Sequence, residues 1–397
     1  MSKLLQKYLK FWATGYLKRV VPEIIAITGS VGKTSTKTAI FEVLKVRYGE
    51  KVRQAEGNLN NETGVPAAIL DFKKAPSYTA TNAFSWLPII IAAPFKSFFL
   101  RKVKILVLEL AADKPGDIQY LTSFIKPKIA VLTGISPAHL EAFSSMRNII
   151  EEKTDLLRAL PTDGTAIINL DDDNARKVSY GGRYNKLTYG IVNKADFEGS
   201  AIKTEIKDYS PHTTFQISHQ QDIINIVQET LGEKGNVLAS LAGAACGELY
   251  NLKNVDIKKG LENVQAEKHR LNVLRGKNDT VIIDDCYNAS PVSMKAALEL
   301  LKKLPGGRKI AVLGDMRELG KIATESHKLI GEYAKNVADM VIAIGNLAKN
   351  YGSNNYFRNP HKAADFLLNK VHSGDIILIK ASRAIGLEKI VDAIKAE

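Results

Sequence analysis

The stretch "AITGSVGKTSTKTAI", residues 26–40, decides how the chain is read. It overlaps the apolar run "EIIAIT" and opens into a segment with helical periodicity. Gly29, Ser30, Val31, Gly32, Lys33, Thr34 and Ser35 have the composition of a phosphate-binding turn. A strict Walker A motif carries a glycine five residues before Gly32, where this chain has Ile27. Strand, glycine-rich turn and helix are still the context that such a loop requires. Backbone N–H groups of the turn and of the helix N-terminus point at the anion. Lys33 would then contact the β- and γ-phosphates, and the Thr34 hydroxyl would bind magnesium. The competing reading is an ordinary strand–turn–helix with a chance Gly-Lys-Thr.

Around this loop the pattern is strand, loop, helix. "KTSTKTAIFEVLKVRY" reads as helix; "VKILVLEL" (103–110), "KIAVLTGI" (128–135) and "GTAIINLDDDN" (164–174) read as buried strands. Continuous apolar strands alternating with helices indicate a parallel sheet covered on both faces. Residues 186–228 are Thr-rich and alternating, which predicts antiparallel pairing, and 235–249 return to helix. A boundary falls near 262–268. Beyond it "TVIIDDCYN", "KIAVLGDM", "MVIAIG" and "DIILIKAS" read as four strands separated by helices, a second, Rossmann-like α/β unit. The expected organisation is thus an α/β protein: a basic N-terminal helix over 1–22, a central ATP-binding domain over 23–265 with an insertion at about 71–103, and a C-terminal domain over 266–397.

Composition narrows the function. The chain has 397 residues, 45% of them hydrophobic and 24% charged, as in a globular protein. Two cysteines, Cys246 and Cys286, imply no disulfide framework, so a reducing cytoplasm is expected. The net charge is +13, but no nucleic-acid motif accompanies it, and nucleic acid is not an expected partner. The N-terminus lacks the apolar core and cleavage site of a signal peptide. "FSWLPIIIAAPF" (84–95) is too short to span a bilayer and contains two prolines. Residues 1–22 place Leu5, Leu9, Trp12, Tyr16 and Val20 at helical spacing, with Lys3, Lys7, Lys10 and Lys18 on the other side.

A phosphate loop needs an acidic partner near the metal. Glu109, ending "KILVLEL", stands where one is needed, and His139 follows another strand end, where ligands of such sheets gather. Each residue alone has a bland reading, a strand end in solvent and a structural histidine.

The combination resembles the Mur ligase family. "ITGSVGKTSTK", "GNLNNETGVP" (57–66), "LELAADKPGDI" (108–118) and "SPAHLEAFSS" (136–145) look like its central domain. "HRLNV" (269–273), "IIDDCYNASPVSMKAAL" (282–298), "AVLGDMRELG" (311–320) and "GDIILIKASRAIGLEKIV" (374–391) extend the match over about 23–397, in family order. Within the family, the motifs most resemble those of members that join D-alanyl-D-alanine to a muramyl-tripeptide. The family loop carries glycine at its third position, as Gly29 does here, which answers the Ile27 anomaly.

The resemblance implies an ATP-dependent amide ligase working through an acyl phosphate. It makes Lys33 the holder of the transferred phosphoryl group, and Thr34, Glu109 and His139 the magnesium set. It aligns Lys153, in "NIIEEKTDLL", with a lysine that many members carbamylate to bind a second magnesium; an unmodified lysine is the competing reading. Asn60 and Asn61 match a loop near phosphates and substrate. Arg270 matches an arginine on the ATP phosphates, Asp285 the ribose aspartate, with Asn288 in the same turn, and Ser382 and Arg383 a motif near the incoming amine. Where the family reads His-Asn-x-x-Asn, this chain has Gly235, Asn236 and Ala239: the asparagine that commonly contacts the adenine is replaced by Ala239, and Asn236 remains.

The members also carry an N-terminal domain for the uridine-diphosphate sugar; about 22 residues precede the first strand here. The expected partners are therefore small molecules, with a partner subunit in place of that domain as one alternative. The N-terminal helix and residues 84–104 either form one cationic, apolar surface for a membrane or pack on each other. Ligation of another carboxylate and amine, as in folylpolyglutamate or cyanophycin synthetases, and a nucleotide-dependent scaffold are the other functional readings.

Overall fold

The computed structural model describes residues 2–57, 59–76, 83–137, 140–179 and 181–396. Among them, β1 (Glu23–Thr28), β2 (Val52–Gln54), β3 (Ile105–Glu109), β4 (Ile129–Leu132), β5 (Thr165–Asn169), β6 (Asn185–Gly190), β7 (Phe197–Lys207), β8 (Ser210–His219) and β9 (Asp222–Gln228) form one sheet. Its order is β2-β3-β1-β4-β5-β6-β7-β8-β9. Pairing is parallel from β2 to β7 and antiparallel across β7, β8 and β9. The stretch expected to be antiparallel thus begins with one parallel strand, β6, before it turns back on itself.

The apolar runs explain the layers. Side chains alternate across a strand. Ile24 and Ala26 of β1 face one core together with Leu106, Leu108, Ala130 and Leu132. Ile25 and Ile27 face the other with Ile105, Val107, Ile129 and Val131. A strand buried on both faces needs apolar residues at every position, which is why these runs do not alternate with polar ones. The helix Lys33–Tyr48 closes the second core with Ala39, Ile40, Val43 and Leu44. The stretch read as a separate N-terminal piece is the helix Ser2–Val20, and its Leu5, Leu9, Ala13, Tyr16 and Leu17 share the first core with the central sheet.

A second sheet follows the linker. It comprises β10 (Asn272–Arg275), β11 (Val281–Asp285), β12 (Lys309–Gly314), β13 (Met340–Ile344), β14 (Asn355–Phe357) and β15 (Ile376–Lys380), in the order β10-β11-β15-β12-β13-β14. Four of these are the strands read from sequence; β10 and β14 are edge strands of four and three residues, too short to show a periodicity. Only β10 pairs antiparallel, against β11. Ile283, Ala311, Leu313 and Leu378 face one side of this sheet, and Ile282, Ile310, Val312, Ile377 and Ile379 the other.

Candidate active site

The order β2-β3-β1-β4 sets the phosphate loop, Glu109 and the loop after β4 side by side at the carboxyl end of the sheet, where open α/β sheets bind ligands. Gly29 has φ 150°, and a Cβ there would lie 2.1 Å from Thr133 Oγ1. Gly32 has φ 81° and caps the helix that follows. Both positions therefore require glycine. The loop is braced from β4: Ser30 N donates to Gly134 O (2.7 Å), and Thr133 Oγ1 donates to Val31 O (2.6 Å). Ser30 Oγ donates to Ser136 O (2.9 Å) and accepts from Ser136 N (3.0 Å), so its hydroxyl holds the loop's shape. Ser35 follows in the first turn of the helix.

Lys33 folds back over the loop, with Nζ 2.8 Å from Gly29 O. Burial lowers its pKa, Glu109 opposes that shift, and the Arg270 charge adds to it. Thr34 is buried beside it. Glu109 is 3% exposed, and its two oxygens differ. Oε1 accepts from Asn60 Nδ2 at 2.9 Å; Oε2 has no hydrogen-bond partner and lies 4.0 Å from Lys37 Nζ. A buried carboxylate oxygen without a donor is the observation that fits a cation here, next to a buried threonine hydroxyl and a phosphate loop. His139 lies outside the described residues.

Lys153 sits on the amphipathic helix Met146–Arg158 and is 4% exposed. Burial, and then the charge of Lys33, lower its pKa to about 7. The preceding Glu152 points elsewhere, accepting from Gly116 N and Ile118 N at 2.7 Å each. A lysine near neutrality offers an uncharged amine, the form that reacts with CO₂.

The C-terminal domain reaches into this site. Arg270 Nη2 donates to Thr34 Oγ1 at 3.3 Å, and Glu267 Oε1 accepts from Thr38 at 3.4 Å. The Arg270 guanidinium stacks over Tyr287 at 4.1 Å, and that of Arg383 lies 5.3 Å from the same ring. Tyr287 was not legible as a site residue: an aromatic in "DDCYN" has no spacing signal of its own. Asp285 is buried and accepts from Lys380 Nζ at 2.5 Å; burial raises its pKa while Lys380 opposes the rise. Lys380 also donates to Asn288 O at 3.0 Å. Lys37 and Lys380 are further residues that sequence reasoning missed, because a buried lysine looks like any other lysine in a run.

Some expected contacts are engaged internally. Asn61 Oδ1 accepts from Gly64 N at 2.8 Å and anchors the helix Gly64–Ile69. Ser382 Oγ accepts from Arg317 N at 2.9 Å and is buried, tying two loops together. Asn236 Nδ2 donates to Leu231 O at 3.0 Å at the start of its helix. Asn288 is exposed, and Oδ1 accepts from Ala289 N. Among the described residues, His269, Asp284 and Cys286 form the one cluster with metal-ligating groups from three side chains. They are already joined: His269 Nδ1 is 2.7 Å from Asp284 Oδ2, and Cys286 Sγ donates to Asp284 Oδ1 at 2.9 Å.

Residues 88–247 match the Mur ligase middle domain and residues 269–383 the Mur ligase, glutamate ligase domain. The chain is 32% identical over 383 residues to the UDP-N-acetylmuramoyl-tripeptide–D-alanyl-D-alanine ligase of Buchnera aphidicola (94% of this chain, 75% of that protein). It is 30% identical over 391 residues to the Bacillus subtilis ligase of the same name (96% and 77%). The crystal structure of the Thermotoga maritima MurF ligase in complex with ADP superposes with a TM-score of 0.81 at 27% identity, covering 98% of this chain and 83% of that one. The chain belongs to the Mur ligase family. It is an ATP-dependent, ADP-forming ligase, and it spans about three quarters of the length of the two sequence relatives.

Proposed function

We propose that this ligase joins D-alanyl-D-alanine to a uridine-diphosphate-muramyl-tripeptide, a step of peptidoglycan precursor synthesis. The observation that carries the reading is the meeting of Arg270 with Thr34, which sets the C-terminal domain against the phosphate loop. The names of the two sequence relatives supply the substrate pair.

A carboxylate is a poor acyl donor. Its oxygen attacks the γ-phosphorus of ATP, the bond to the β-phosphate oxygen breaks, and ADP leaves. The amine then attacks the acyl carbon, phosphate departs and the amine loses a proton. Catalysis of such transfers is mainly positioning and charge neutralisation. Lys33 and Arg270 would neutralise the phosphates, and Asp285 and Tyr287 would lie beside the nucleoside. Thr34 and Glu109 would hold magnesium, with Asn60 fixing Glu109, and Lys153 would join them only as its carbamate, whose oxygens suit that cation. Bound magnesium would neutralise charge on the transferring phosphoryl group. Ser382 would act by shaping the loop that carries Arg383 toward the incoming amine. The buried, unpaired thiols of Cys246 and Cys286 suit a reducing cytoplasm.

The test is ADP release with mass-spectrometric product detection, given ATP, magnesium, the uridine-diphosphate-muramyl-tripeptide and D-alanyl-D-alanine. A pentapeptide product is expected. ADP release only with another carboxylate and amine would refute the substrate pair and keep the ligase. ATP turnover indifferent to every acceptor would refute ligation altogether.

A further inference from the structure

The helices Ser2–Val20 and Leu87–Phe99 pack on each other through polar tips. Tyr8 donates to Ile90 O (2.8 Å), Ser97 Oγ to Trp12 O (2.9 Å) and Arg19 Nε to Ser97 O (3.0 Å). Mutual packing was one of the two expectations for these segments, yet it does not use up their apolar surface. On the second helix Ile89, Ala93 and Ser97 face inward. Its outward stripe is apolar as well: Ile91, Phe95, Phe98 and Phe99 are 58–82% exposed, and Phe11 of the first helix is 66% exposed. A surface helix ordinarily turns polar residues to solvent. An exposed apolar stripe of this kind marks a surface that something covers.

Charge identifies the occupant. Residues 1–22 and 83–104 carry nine basic side chains and no acidic one. Lys3, Lys7 and Lys18 are exposed on the first helix, and Lys102 follows the second. Between the helices runs a groove lined by Lys7, Phe11, Trp12, Lys18, Arg19 and Phe98. Trp12 stacks edge-on with Phe98 at 5.9 Å, and its buried indole N–H has no acceptor. Exposed cations and projecting phenylalanines are what the headgroup zone of an anionic bilayer accommodates. No described helix is long and apolar enough to cross a membrane, so contact is with one surface.

We propose that this two-helix face docks the enzyme on a bilayer containing anionic lipids, with Phe11, Phe95, Phe98 and Phe99 at the headgroup boundary and the lysines on lipid phosphates. The docking does not depend on the substrate pair.

The test is flotation of the full chain with phosphatidylcholine–phosphatidylglycerol vesicles and with phosphatidylcholine alone, at low and high salt. Binding to the anionic vesicles at low salt is expected, weakened by salt. The triple variant Phe95→Ser/Phe98→Ser/Phe99→Ser and the variant Lys3→Glu/Lys7→Glu/Lys18→Glu should each bind at least about tenfold more weakly, with ATP turnover in solution unchanged. Failure of the wild type to float at low salt overturns the proposal. Equal binding by the phenylalanine variant overturns it too. Self-association of the wild type, without flotation and abolished by the same substitutions, would show the face to be a contact between copies and overturn it. Flotation is read without substrate, so its outcome is separate from that of the ligase assay.

Discussion

Arg270 Nη2 lies 3.3 Å from Thr34 Oγ1, across 236 residues of sequence and between two domains. The linker delivers this contact through His269 and Leu271, both at positive φ (62° and 53°), so the guanidinium is held by backbone geometry and by Tyr287 beneath it. Arg270→Ala should lower kcat/KM for ATP by roughly 10–100-fold. Arg270→Lys should recover little, because a lysine lacks the planar fork that stacks and donates together. Steady-state kinetics check this; full activity in the lysine variant would refute a stacked, donating role.

In the proposed mechanism Lys33 serves the phosphates, and it contributes little to the fold, since in this structure it returns to carbonyls of its own loop. Lys33→Ala should cut turnover by at least about 100-fold and leave the thermal midpoint unchanged. Turnover near the wild-type rate would remove the phosphate loop from the chemistry.

The two oxygens of Glu109 make separable predictions. Glu109→Gln weakens any bound cation directly. Asn60→Ala removes the donor on Oε1 and should raise the magnesium concentration for half-maximal activity by about tenfold. A magnesium titration that is identical for wild type and Asn60→Ala would show that Asn60 orients nothing of consequence.

Lys153 links stability to pH. Its pKa is about 7 in the folded protein, against the ordinary lysine value of 10.5 in the unfolded chain. The unfolded chain therefore binds more protons between those values, and the folded state gains stability as pH rises through that window. Below about 7 the full cost of the buried charge is present; above 10.5 it has vanished. Without CO₂, Lys153→Met should melt higher than wild type at pH 6 by several degrees, with the difference shrinking toward pH 10. A pH-independent difference would contradict a buried, perturbed lysine. Added bicarbonate should raise wild-type turnover by carbamylating the neutral amine.

Lys380 and Asp285 form a buried pair, with side chains 4% and 13% exposed. Lys380→Met leaves the carboxylate without its partner and should cost about 3–5 kcal/mol of stability. Adding Asp285→Asn should restore part of that loss while nucleotide affinity stays low. Denaturant unfolding and nucleotide titration separate the two effects.

The sequence by itself determined the layers and the loop. Runs such as "EIIAIT" and "KIAVLTGI" are apolar at every position because both sheet faces are covered, so strand, burial and parallel pairing are one signal. Gly29 and Gly32 announced the phosphate turn because only glycine satisfies its backbone and its approach to Thr133. Lys33 and Thr34 became candidates through the Gly-Lys-Thr of that turn, and Glu109 through its place at a strand end. The tertiary structure decided what local pattern cannot encode. It put Lys37 beside Glu109, Lys380 on Asp285 and Tyr287 between two arginines. It assigned Asn61 and Ser382 to holding loops, and it drew the N-terminal helix into the central core. These depend on long-range neighbours: a lysine's burial and a carboxylate's unpaired oxygen are properties of what surrounds them, and the surroundings come from chain segments far away in sequence.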